Sequence, residues 1–403
     1  MGEMVETVES CYEGFVASEQ GADARRSETL DMYERLDGVL SVTPQVPINT
    51  KEDLARLYTP GVSEVAELLA RAPELKGRYT SSGKTIGVVT DGSAVLGLGN
   101  IGPAGGLPVV EAKALLHKSL GGTDAFPITV DPWSTDELVR TIESISGSFA
   151  MIHLEDIAAP RCFEVERRLA DDLDIPIYHD DQEGSAIVAL AALVNAAKVV
   201  GKELTELSVV ICGVGAAGVA TGRLLAAAGI LNVTLVDREG VVTPTASWAN
   251  DYQRELAEKM AYARPVFTLA DAMRDADVFI GLSEGGALPQ EYVATMAPDA
   301  IVMALANPVP EIEPDLARAA GARITATGSS KYPNQVNNIL VFPGMGKGLV
   351  GSGVRRLTPE MELAVAHAIA GLVEEPGEET ILPDVLDERV VPTVAAAVAA
   401  FAE

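Results

Sequence analysis

The 403-residue sequence has few cysteines and few basic residues, and each deficit excludes a class of protein. Its three cysteines, Cys11, Cys162 and Cys212, show no CxxC spacing and cannot all pair, which favours a reducing compartment. Thirty Lys and Arg stand against 58 Asp and Glu, a formal net charge of −28. This balance argues against a protein that binds nucleic acid or lies on an anionic membrane, because both need a cationic surface.

The sequence also lacks an export signal and a long uncharged apolar run. Its first 15 residues carry four glutamates, where a signal peptide needs basic residues followed by an apolar stretch. The longest uncharged apolar windows, near residues 186–194 and 394–402, fall short of the roughly 20 residues that span a bilayer. The sequence therefore predicts a cytoplasmic protein that does not cross a membrane.

After an acidic N-terminal arm of about 35 residues, expected to be helical or partly ordered, short β-rich runs alternate with Ala- and Leu-rich stretches. This alternation predicts an α/β fold with mostly parallel sheets. The expected strands are residues 86–90, 126–130, 150–154, 175–178, 208–212, 233–236, 278–281, 301–304, 324–326 and 339–342. A predicted helix over residues 184–200 marks the boundary between an N-terminal α/β domain, residues 1–183, and a second domain, residues 184–403.

The pattern GxGxxG occurs at residues 97–102 and at residues 213–218. The second match follows a predicted strand, opens a helical pattern over residues 219–228, and precedes a strand that ends at Asp237. Glycines in this βαβ setting let the backbone approach a pyrophosphate, and the acid lies where a ribose is bound. The second domain is therefore predicted to be a doubly wound, Rossmann-type dinucleotide-binding domain. Asp237 favours NAD over NADP because its carboxylate would repel a 2′-phosphate, a preference that Arg238 could soften.

The first GxGxxG match lacks this setting. Pro103 and Pro108 follow it, together with two further glycines, so no helix is expected to open at Gly102. We predict a loop that leads into a helix from about Val109. The first turns of this helix carry Lys113.

Pairs of acidic residues follow two strands of the first predicted sheet: Glu155 with Asp156, and Asp180 with Asp181. In open α/β sheets the ligand crevice lies outside the carboxyl ends of the strands. Adjacent carboxylates repel one another unless a cation or solvent lies among them. Oxygen ligands without a nearby cysteine favour Mg²⁺ or Mn²⁺ over zinc. Solvated loop carboxylates are the alternative.

Four further side chains allow more than one interpretation. His153 and His179 precede acids by two residues, so they either pack behind the crevice or join a mixed transition-metal site. Lys113 would lose proton affinity beside a divalent cation and could then act as a base, although most lysines lie on the surface. Tyr58 could donate a proton, although a tyrosine before a proline turn usually packs.

Over nearly its whole length after residue 28, the chain resembles the small bacterial and archaeal type of malic enzyme. The matching segments are LYTPGV (57–62), VVTDGSAVLGLGNIGP (88–103), LEDIAAPRCFE (154–164), HDDQEGSAI (179–187), CGVGAAG (212–218), ALANPVPEI (304–312) and YPNQVNNILVFPG (332–344). The resemblance implies an N-terminal catalytic domain, a Rossmann-type NAD domain, and homodimers or larger assemblies. It implies oxidative decarboxylation of L-malate to pyruvate and CO₂ with NAD, or NADP, and Mg²⁺ or Mn²⁺.

The resemblance also assigns roles to single residues. It implies that Tyr58 is the proton donor, Lys113 the general base and Asp180 the carboxylate that orients the lysine. The implied metal ligands are Glu155, Asp156 and Asp181. The implied cofactor residues are Gly213, Val214, Gly215, Ala216, Ala217, Gly218, Asp237, Arg238 and Asn307, and the implied substrate residues are Asn307, Asn337 and Asn338.

The chain departs from the family's usual segments at several positions. It has DDQEGSA at residues 180–186 where the family often has DDQHGTA, and TGSSKYPNQ at residues 327–335 where the family often has TGRSDYPNQ. A glycine-rich segment, residues 345–353, replaces a basic one, and Ala94 stands where larger malic enzymes have an arginine. We expect these changes to affect substrate affinity, cofactor choice and regulation rather than reaction type.

Four other functions remain open from the residues. The same site could carry out a malolactic-type conversion or decarboxylate oxaloacetate. The same fold could serve a metal-free NAD-dependent hydroxy- or amino-acid dehydrogenase. The chain could also be a non-catalytic module that senses NAD.

Overall fold

The computed structural model describes residues 20–95, 97–260 and 266–402. The chain divides into two units, Met1–Pro47 and Ile48–Glu403. The described part of the first unit contains helix α1, Gln20–Leu36, within the arm predicted to be helical or partly ordered. Cys11 lies outside the described residues. All further elements belong to the second unit.

The first sheet of the second unit has four parallel strands in the order β2-β1-β3-β4. Its strands are β1 (Thr85–Thr90), β2 (Asp124–Thr129), β3 (Met151–Leu154) and β4 (Ile177–His179). Leu154 pairs with Val89 on one side and with His179 on the other, so the carboxyl ends of β1, β3 and β4 lie side by side. The residues that follow these strands therefore share one edge of the sheet.

The second sheet has six strands in the order β10-β9-β8-β5-β6-β7, and β7 alone runs antiparallel to its neighbour. Its strands are β5 (Val209–Cys212), β6 (Val233–Asp237), β7 (Gly240–Val241), β8 (Val278–Gly281), β9 (Ala300–Ala304) and β10 (Ala322–Thr327). The chain passes from β5 to β6 on one side and to β8 on the other, so the strand order reverses at β5. This doubly wound arrangement places a ligand crevice at the carboxyl end of β5. The predicted α/β fold is confirmed.

The second unit also contains helices α2 to α16. They are α2 (Lys51–Leu57), α3 (Gly61–Arg71), α4 (Lys76–Tyr79), α5 (Gly102–Ser119), α6 (Thr135–Ser146), α7 (Arg161–Asp172), α8 (Ser185–Val200), α9 (Ala216–Ala227), α10 (Asp251–Lys259), α11 (Leu269–Met273), α12 (Gln290–Val293), α13 (Pro314–Ala319), α14 (Phe342–Ser352), α15 (Pro359–Ala370) and α16 (Val390–Ala399). Helix α14 packs against β1, β3 and α5 of the first sheet. The predicted boundary at residue 184 falls within this unit and stays a prediction.

Helix α8 forms the buried connection between the two sheets. Together with the preceding turn it makes the segment Asp180–Val200, which is long and apolar enough to cross a membrane, with a mean hydropathy of 1.5. However, 78% of its apolar window is buried inside the protein, where α8 packs against α9 and α15. Such burial is typical of a core helix, and one segment of this kind is weak evidence for a membrane span. This apolar segment is longer than the uncharged window at residues 186–194 of the sequence.

Nine of the ten predicted strands overlap strands of the structure, and the strand predicted at residues 339–342 is wrong. This segment is a short 3₁₀ turn, Asn338–Leu340, that leads into helix α14. The side chain of Asn337 accepts a hydrogen bond from the amide of Ile339, and Pro343 lies in the first turn of α14. Proline suits a first helical turn because the missing N–H has no partner there. A four-residue apolar run cannot by itself distinguish a strand from a buried helix.

The prediction that no helix opens at Gly102 is also wrong, because α5 begins at that residue rather than near Val109. Pro103 occupies the first turn, where a helix tolerates proline. Gly106 allows a close approach to the end of β1: a β-carbon there would lie 3.0 Å from Cγ2 of Thr90 and 3.2 Å from Cα of Gly92. The prolines and glycines thus allow a tightly packed helix start instead of marking a loop.

Candidate active site

Five of the predicted site residues meet at the carboxyl edge of the first sheet. Glu155 and Asp156 directly follow β3. Asp180 and Asp181 follow β4 and begin a π-type turn, Asp180–Gly184. Lys113 reaches the same edge from α5, and 13% of its side chain is exposed. The register of β3 and β4 makes the two acidic pairs neighbours.

Lys113 is held by two carboxylates. Its ammonium donates a hydrogen bond to Oδ2 of Asp180 and lies 3.2 Å from Oε2 of Glu155. The hydroxyl of Tyr178 donates to the other oxygen of Asp180 at 2.6 Å, so both oxygens of Asp180 are engaged. Burial by itself lowers the pKa of Lys113, but the charges of Asp180, Glu155 and Asp181 outweigh burial and raise this pKa above its ordinary value. Without a cation, Lys113 is therefore an ammonium group, and the neutral base predicted from the sequence requires a cation beside it.

The other three carboxylates form a cluster suited to a cation. Glu155, Asp156 and Asp181 each offer an oxygen, and these oxygens lie within 4.8 Å of one another. Oδ2 of Asp156 is buried without a hydrogen-bond partner, while the amide of Asp156 donates to Oδ2 of Asp181 at 2.8 Å. Asp156 also adopts a positive φ of 54°, which is uncommon for a residue other than glycine.

Burial and mutual repulsion raise the pKa of all three of these carboxyl groups. The pKa of Asp156 rises to about 9, that of Glu155 to about 7 and that of Asp181 to about 6. Burial is the largest cause in each case, and a neighbouring carboxylate adds to it. Crowded acids with an unpartnered oxygen fit a hard divalent cation such as Mg²⁺ or Mn²⁺, whose charge would remove the repulsion.

A second group, His153, Glu155 and Asp180, also has ligand atoms within 4.8 Å of one another. Its atoms already have partners: Nε2 of His153 lies 2.8 Å from Oε2 of Glu155, and both oxygens of Asp180 accept hydrogen bonds. His153 and His179 are fully buried, and burial lowers the pKa of each ring. This arrangement favours histidines that pack behind the crevice over a mixed transition-metal site.

An ion pair braces the loop after β1 against the start of α7. Arg161 pairs with the buried carboxylate of Asp91, whose other oxygen accepts a hydrogen bond from Ser93 at 2.6 Å. The hydroxyl of Ser93 accepts from the amide of Ala158 at 2.8 Å. The amide of Ala94, in turn, donates to the carbonyl of Asp156. Sequence reasoning missed this contribution of Arg161, because its two partners lie about 70 residues away along the chain.

The second GxGxxG match lines a cleft of about 840 Å³ at the carboxyl end of β5. Gly213 has a φ of +95°, and a β-carbon there would lie 2.3 Å from the carbonyl oxygen of Leu282. A β-carbon at Gly218 would lie 2.0 Å from the carbonyl oxygen of Gly213. One at Gly215 would meet no heavy atom within 4 Å. Two glycines therefore serve the turn and its packing, and Gly215 leaves space in the cleft itself.

The end of β6 also lines this cleft, and α9 begins directly after the lining residue Gly215. Ala216, Ala217 and Gly218 are the first residues of α9, whose free amides can bind a phosphate. Asp237 ends β6 and lines the cleft with Val214 and Arg238. Its carboxylate accepts hydrogen bonds from the amide of Arg238 and from Nε2 of Gln253, each at 2.8 Å.

Gln253 is a cleft residue that the sequence did not reveal. Besides Asp237, it donates a hydrogen bond to the carbonyl of Val214 at 2.9 Å. It thus connects the glycine turn to the acid at the end of β6. Its side chain comes from α10, and no local pattern distinguishes it from other helical glutamines.

The three predicted asparagines also lie together. Asn307, Asn337 and Asn338 line a cavity of about 100 Å³. Leu282 lines both this cavity and the dinucleotide cleft, so the two adjoin. Ser185, four residues after Asp181, lines the cavity as well. The carboxylate cluster, the asparagines and the cleft are thus connected through neighbouring residues.

Tyr58 is the predicted residue that the structure does not bring to the cluster. It lies between α2 and α3, and 65% of it is exposed. Within the described chain, no hydrogen bond, ion pair or ring contact connects its side chain to Lys113 or the carboxylates. Neither α2 nor α3 buries a single residue.

Two family models match the chain. "Malic enzyme, N-terminal domain" matches residues 38–170, and "Malic enzyme, NAD binding domain" matches residues 182–403. The NAD-dependent malic enzyme of Geobacillus stearothermophilus is 46% identical over 365 residues, which cover 90% of this chain and 76% of that protein. The bifunctional malic/malolactic enzyme of Bacillus subtilis is 43% identical over 377 residues, which cover 93% of this chain and 92% of that protein.

The fold also matches a solved structure. The crystal structure of the NAD-dependent malic enzyme from Thermotoga maritima superposes with a TM-score of 0.89 at 44% sequence identity. The match covers 92% of this chain and 98% of that one. The similarity therefore extends over both sheets.

Proposed function

Because the chain belongs to the malic enzyme family, we propose that it catalyses the oxidative decarboxylation of L-malate to pyruvate and CO₂, with NAD and a divalent cation. The observation that carries the proposal is the buried cluster in which Lys113 adjoins carboxylates suited to a cation. A dinucleotide cleft and an asparagine-lined cavity lie next to it.

The cluster supplies the groups that the reaction needs. When bound, a divalent cation held by Glu155, Asp156 and Asp181 supplies a Lewis acid and a positive charge that opposes the carboxylates' effect on Lys113, and NAD supplies the hydride acceptor. Lys113 takes the proton from the 2-hydroxyl of malate as hydride leaves C2. Asp180 holds the lysine in place throughout, because its carboxylate accepts from Lys113 and from Tyr178.

The second half of the reaction needs an acid. Loss of CO₂ from the oxaloacetate formed leaves an enolate, and Tyr58 then protonates its C3 carbon to give pyruvate. The asparagines offer amide donors to the carboxylate of the substrate and to the carboxamide of the nicotinamide, because they line one cavity beside the cleft.

The assembly is a homodimer or a larger homo-oligomer in which Tyr58 serves the neighbouring copy. Its exposure, and the absence of a buried residue on α2 and α3, support a second copy of this chain as the occupant of this face. The same face carries three apolar side chains that are each more than 40% exposed: Leu54, Leu57 and Val62. A partner on this surface would bury these side chains and bring the tyrosine to a substrate.

The cofactor is NAD rather than NADP. The carboxylate of Asp237 is anchored by Gln253 and the amide of Arg238 at the edge of the cleft. Held there, it accepts hydrogen bonds from ribose hydroxyls and repels a 2′-phosphate.

A malate assay with NAD and NADP in parallel, each with and without Mn²⁺, tests the proposal. We expect pyruvate and NADH to form together, to require Mn²⁺, and to form faster with NAD. Absence of cation-dependent pyruvate formation with both cofactors would refute the function. Activity that persists in EDTA without pyruvate would instead indicate a metal-free hydroxy- or amino-acid dehydrogenase, and cofactor binding without turnover of malate or oxaloacetate would indicate an NAD-sensing module.

A malolactic conversion is a second candidate, because one relative is named a bifunctional malic/malolactic enzyme. It would use the same cluster and cleft but would release lactate without net NADH. Absorbance at the NADH band, combined with identification of the product, separates the two reactions.

A further inference from the structure

Two histidines outside the proposed reaction form a hydrogen-bonded chain behind Glu155. Nε2 of His117 lies 3.0 Å from Nδ1 of His153, and Nε2 of His153 lies 2.8 Å from Oε2 of Glu155. Both histidines are completely buried. Phe342 lies against both rings, with centroids 5.0 and 5.8 Å away, and Tyr178 lies 5.3 Å from His153. The rings are therefore fixed in place.

The groups at the two ends of this hydrogen-bonded chain determine which nitrogen donates in each hydrogen bond. A carboxylate that binds a cation accepts hydrogen bonds only, so Nε2 of His153 must carry the proton. In a neutral imidazole the other nitrogen is then an acceptor, and Nδ1 of His153 accepts from Nε2–H of His117. Nδ1 of His117 is left as a lone pair.

The unpartnered atom at the far end supports this direction. Nδ1 of His117 is buried without a hydrogen-bond partner. In the opposite direction this atom would be a buried N–H without an acceptor, and unpaired buried donors are rarer than unfilled lone pairs. The opposite direction would also require Glu155 to be protonated, which removes its charge from the cation site.

The two carboxylate oxygens of Glu155 differ in their hydrogen-bond partners. Oε2 is engaged by His153 and lies 3.2 Å from the ammonium of Lys113. Oε1 has no hydrogen-bond partner among the described residues. One oxygen thus anchors the side chain and the other is left for a cation.

We propose that His153 is a positioning residue for Glu155, and that His117 holds His153 in the required tautomer. The inference rests on the proposed function, because it takes Glu155 as a cation ligand. Hydrogen bonds that hold a metal ligand in place reduce the conformational entropy that its side chain loses when the metal binds. Their removal typically weakens metal affinity by about 10-fold to 100-fold.

Direct titration with Mn²⁺, read from the electron paramagnetic resonance signal of the free ion, tests this role without malate or NAD. We expect His153→Leu to weaken Mn²⁺ binding by about 10-fold or more. His153→Gln keeps an N–H at a similar position, so we expect it to restore most of the affinity. His117→Leu should fall between them, and His367→Gln, at an exposed histidine on α15, is the matched control.

The tautomers can be read from ¹⁵N chemical shifts of labelled histidine, because the chain has only four histidines. In the presence of Mg²⁺, which keeps Glu155 ionised, we expect His117 and His153 to be neutral Nε2–H forms, and His117→Leu to shift the Nδ1 signal of His153. An Nδ1–H form of His153, or a folded His153→Leu variant that binds Mn²⁺ as tightly as the wild type, would overturn the inference alone. Wild-type protein that binds no Mn²⁺ would overturn the proposed function together with the inference.

If His153→Leu does not fold, the Gln variant and the tautomers still decide the question. A folded His153→Gln variant that binds Mn²⁺ as weakly as His117→Leu would contradict a role based on a donated hydrogen bond. Circular dichroism of each variant establishes whether it is folded.

Discussion

Nζ of Lys113 lies 3.2 Å from Oε2 of Glu155, so the proposed base and a proposed cation ligand share one electrostatic environment. The carboxylates around the lysine raise its pKa, and a cation among them would act in the opposite sense. Proton release by Lys113 is thereby coupled to the binding of a cation by the carboxylates.

Lys113→Met removes the base while keeping a long side chain against Phe342, which Lys113 contacts at 4.6 Å from the ring centroid. We expect kcat to fall by about 10²-fold to 10⁴-fold, the usual contribution of a positioned general base. The affinity for NADH should stay within about threefold, because the cleft lies on the second sheet. NADH formation measures kcat, and NADH fluorescence measures binding.

Lys118→Met is the matched control for this substitution. Lys118 lies on the same helix and pairs with Asp124 on the surface, where 58% of its side chain is exposed. We expect this variant to keep wild-type turnover. Wild-type kcat in Lys113→Met would contradict the assignment of the base, and equal loss of turnover and NADH binding would indicate general damage to the fold.

The raised carboxyl pKa values predict that the cation-free protein loses stability between pH 7 and pH 9. The folded protein holds protons in this range, since the pKa of Asp156 is about 9. Burial and the charge of Glu166 likewise raise the pKa of Glu362, on α15, to about 8, whereas unfolded carboxyl groups are ionised. The free energy of unfolding therefore falls as pH rises, by about 1.4 kcal/mol per pH unit for each proton held. Buried histidines act in the opposite sense only below about pH 6.5, and the raised pKa of Lys113 has its effect at higher pH.

Mg²⁺ should reverse this loss because it replaces protons on Glu155, Asp156 and Asp181. Thermal unfolding in EDTA and in Mg²⁺, at pH 7 and pH 9, measures the effect. We expect the increase in Tm caused by Mg²⁺ to be larger at pH 9. Asp156→Asn should reduce both the pH dependence and the Mg²⁺ effect. An equal Mg²⁺ effect at both pH values, or a cation-free Tm that rises with pH, would refute the coupling.

The strands and the acidic edge of the first sheet could be predicted because they depend on local patterns. A short apolar run followed by acids, as at Leu154 and Glu155, shows where a strand ends, and parallel pairing then brings such ends together. Gly213 and Gly218 could be placed for the same reason, since a βαβ unit needs glycine at those positions.

Long-range contacts could not be predicted in this way. Nothing in the sequence shows that His117 meets His153, or that Phe342 packs on both, because these residues lie on elements far apart along the chain. The start of α5 also depends on a contact between residues that are distant in sequence. Pro103 and Gly106 look like loop residues until the close approach of Thr90 shows why a small residue is needed there.

The glycines of the cleft should differ in what their substitution damages. A β-carbon at Gly215 meets nothing within 4 Å in the protein, and the residue has a φ of −82° that alanine can adopt. We expect Gly215→Ala to fold normally but to raise the KM for NAD about 10-fold or more, because the methyl group occupies pyrophosphate space. Gly213→Ala should instead lower the Tm, because its φ of +95° and the carbonyl of Leu282 oppose a side chain. A Gly215→Ala variant with unchanged KM for NAD would contradict the position of the pyrophosphate.

Tyr58 can be assigned to its own site or to a neighbouring one by mixing two inactive variants. We expect Tyr58→Phe and Lys113→Met each to be nearly inactive alone. If Tyr58 serves the neighbouring copy, a mixed dimer has one site with both substitutions and one intact site. Random exchange of subunits should then restore about a quarter of wild-type activity. Steady-state turnover after dissociation and reassembly measures the gain, and each variant treated alone is the control. Mixed samples that stay inactive, although light scattering shows dimers and native electrophoresis shows exchange, would place the tyrosine in the site of its own chain.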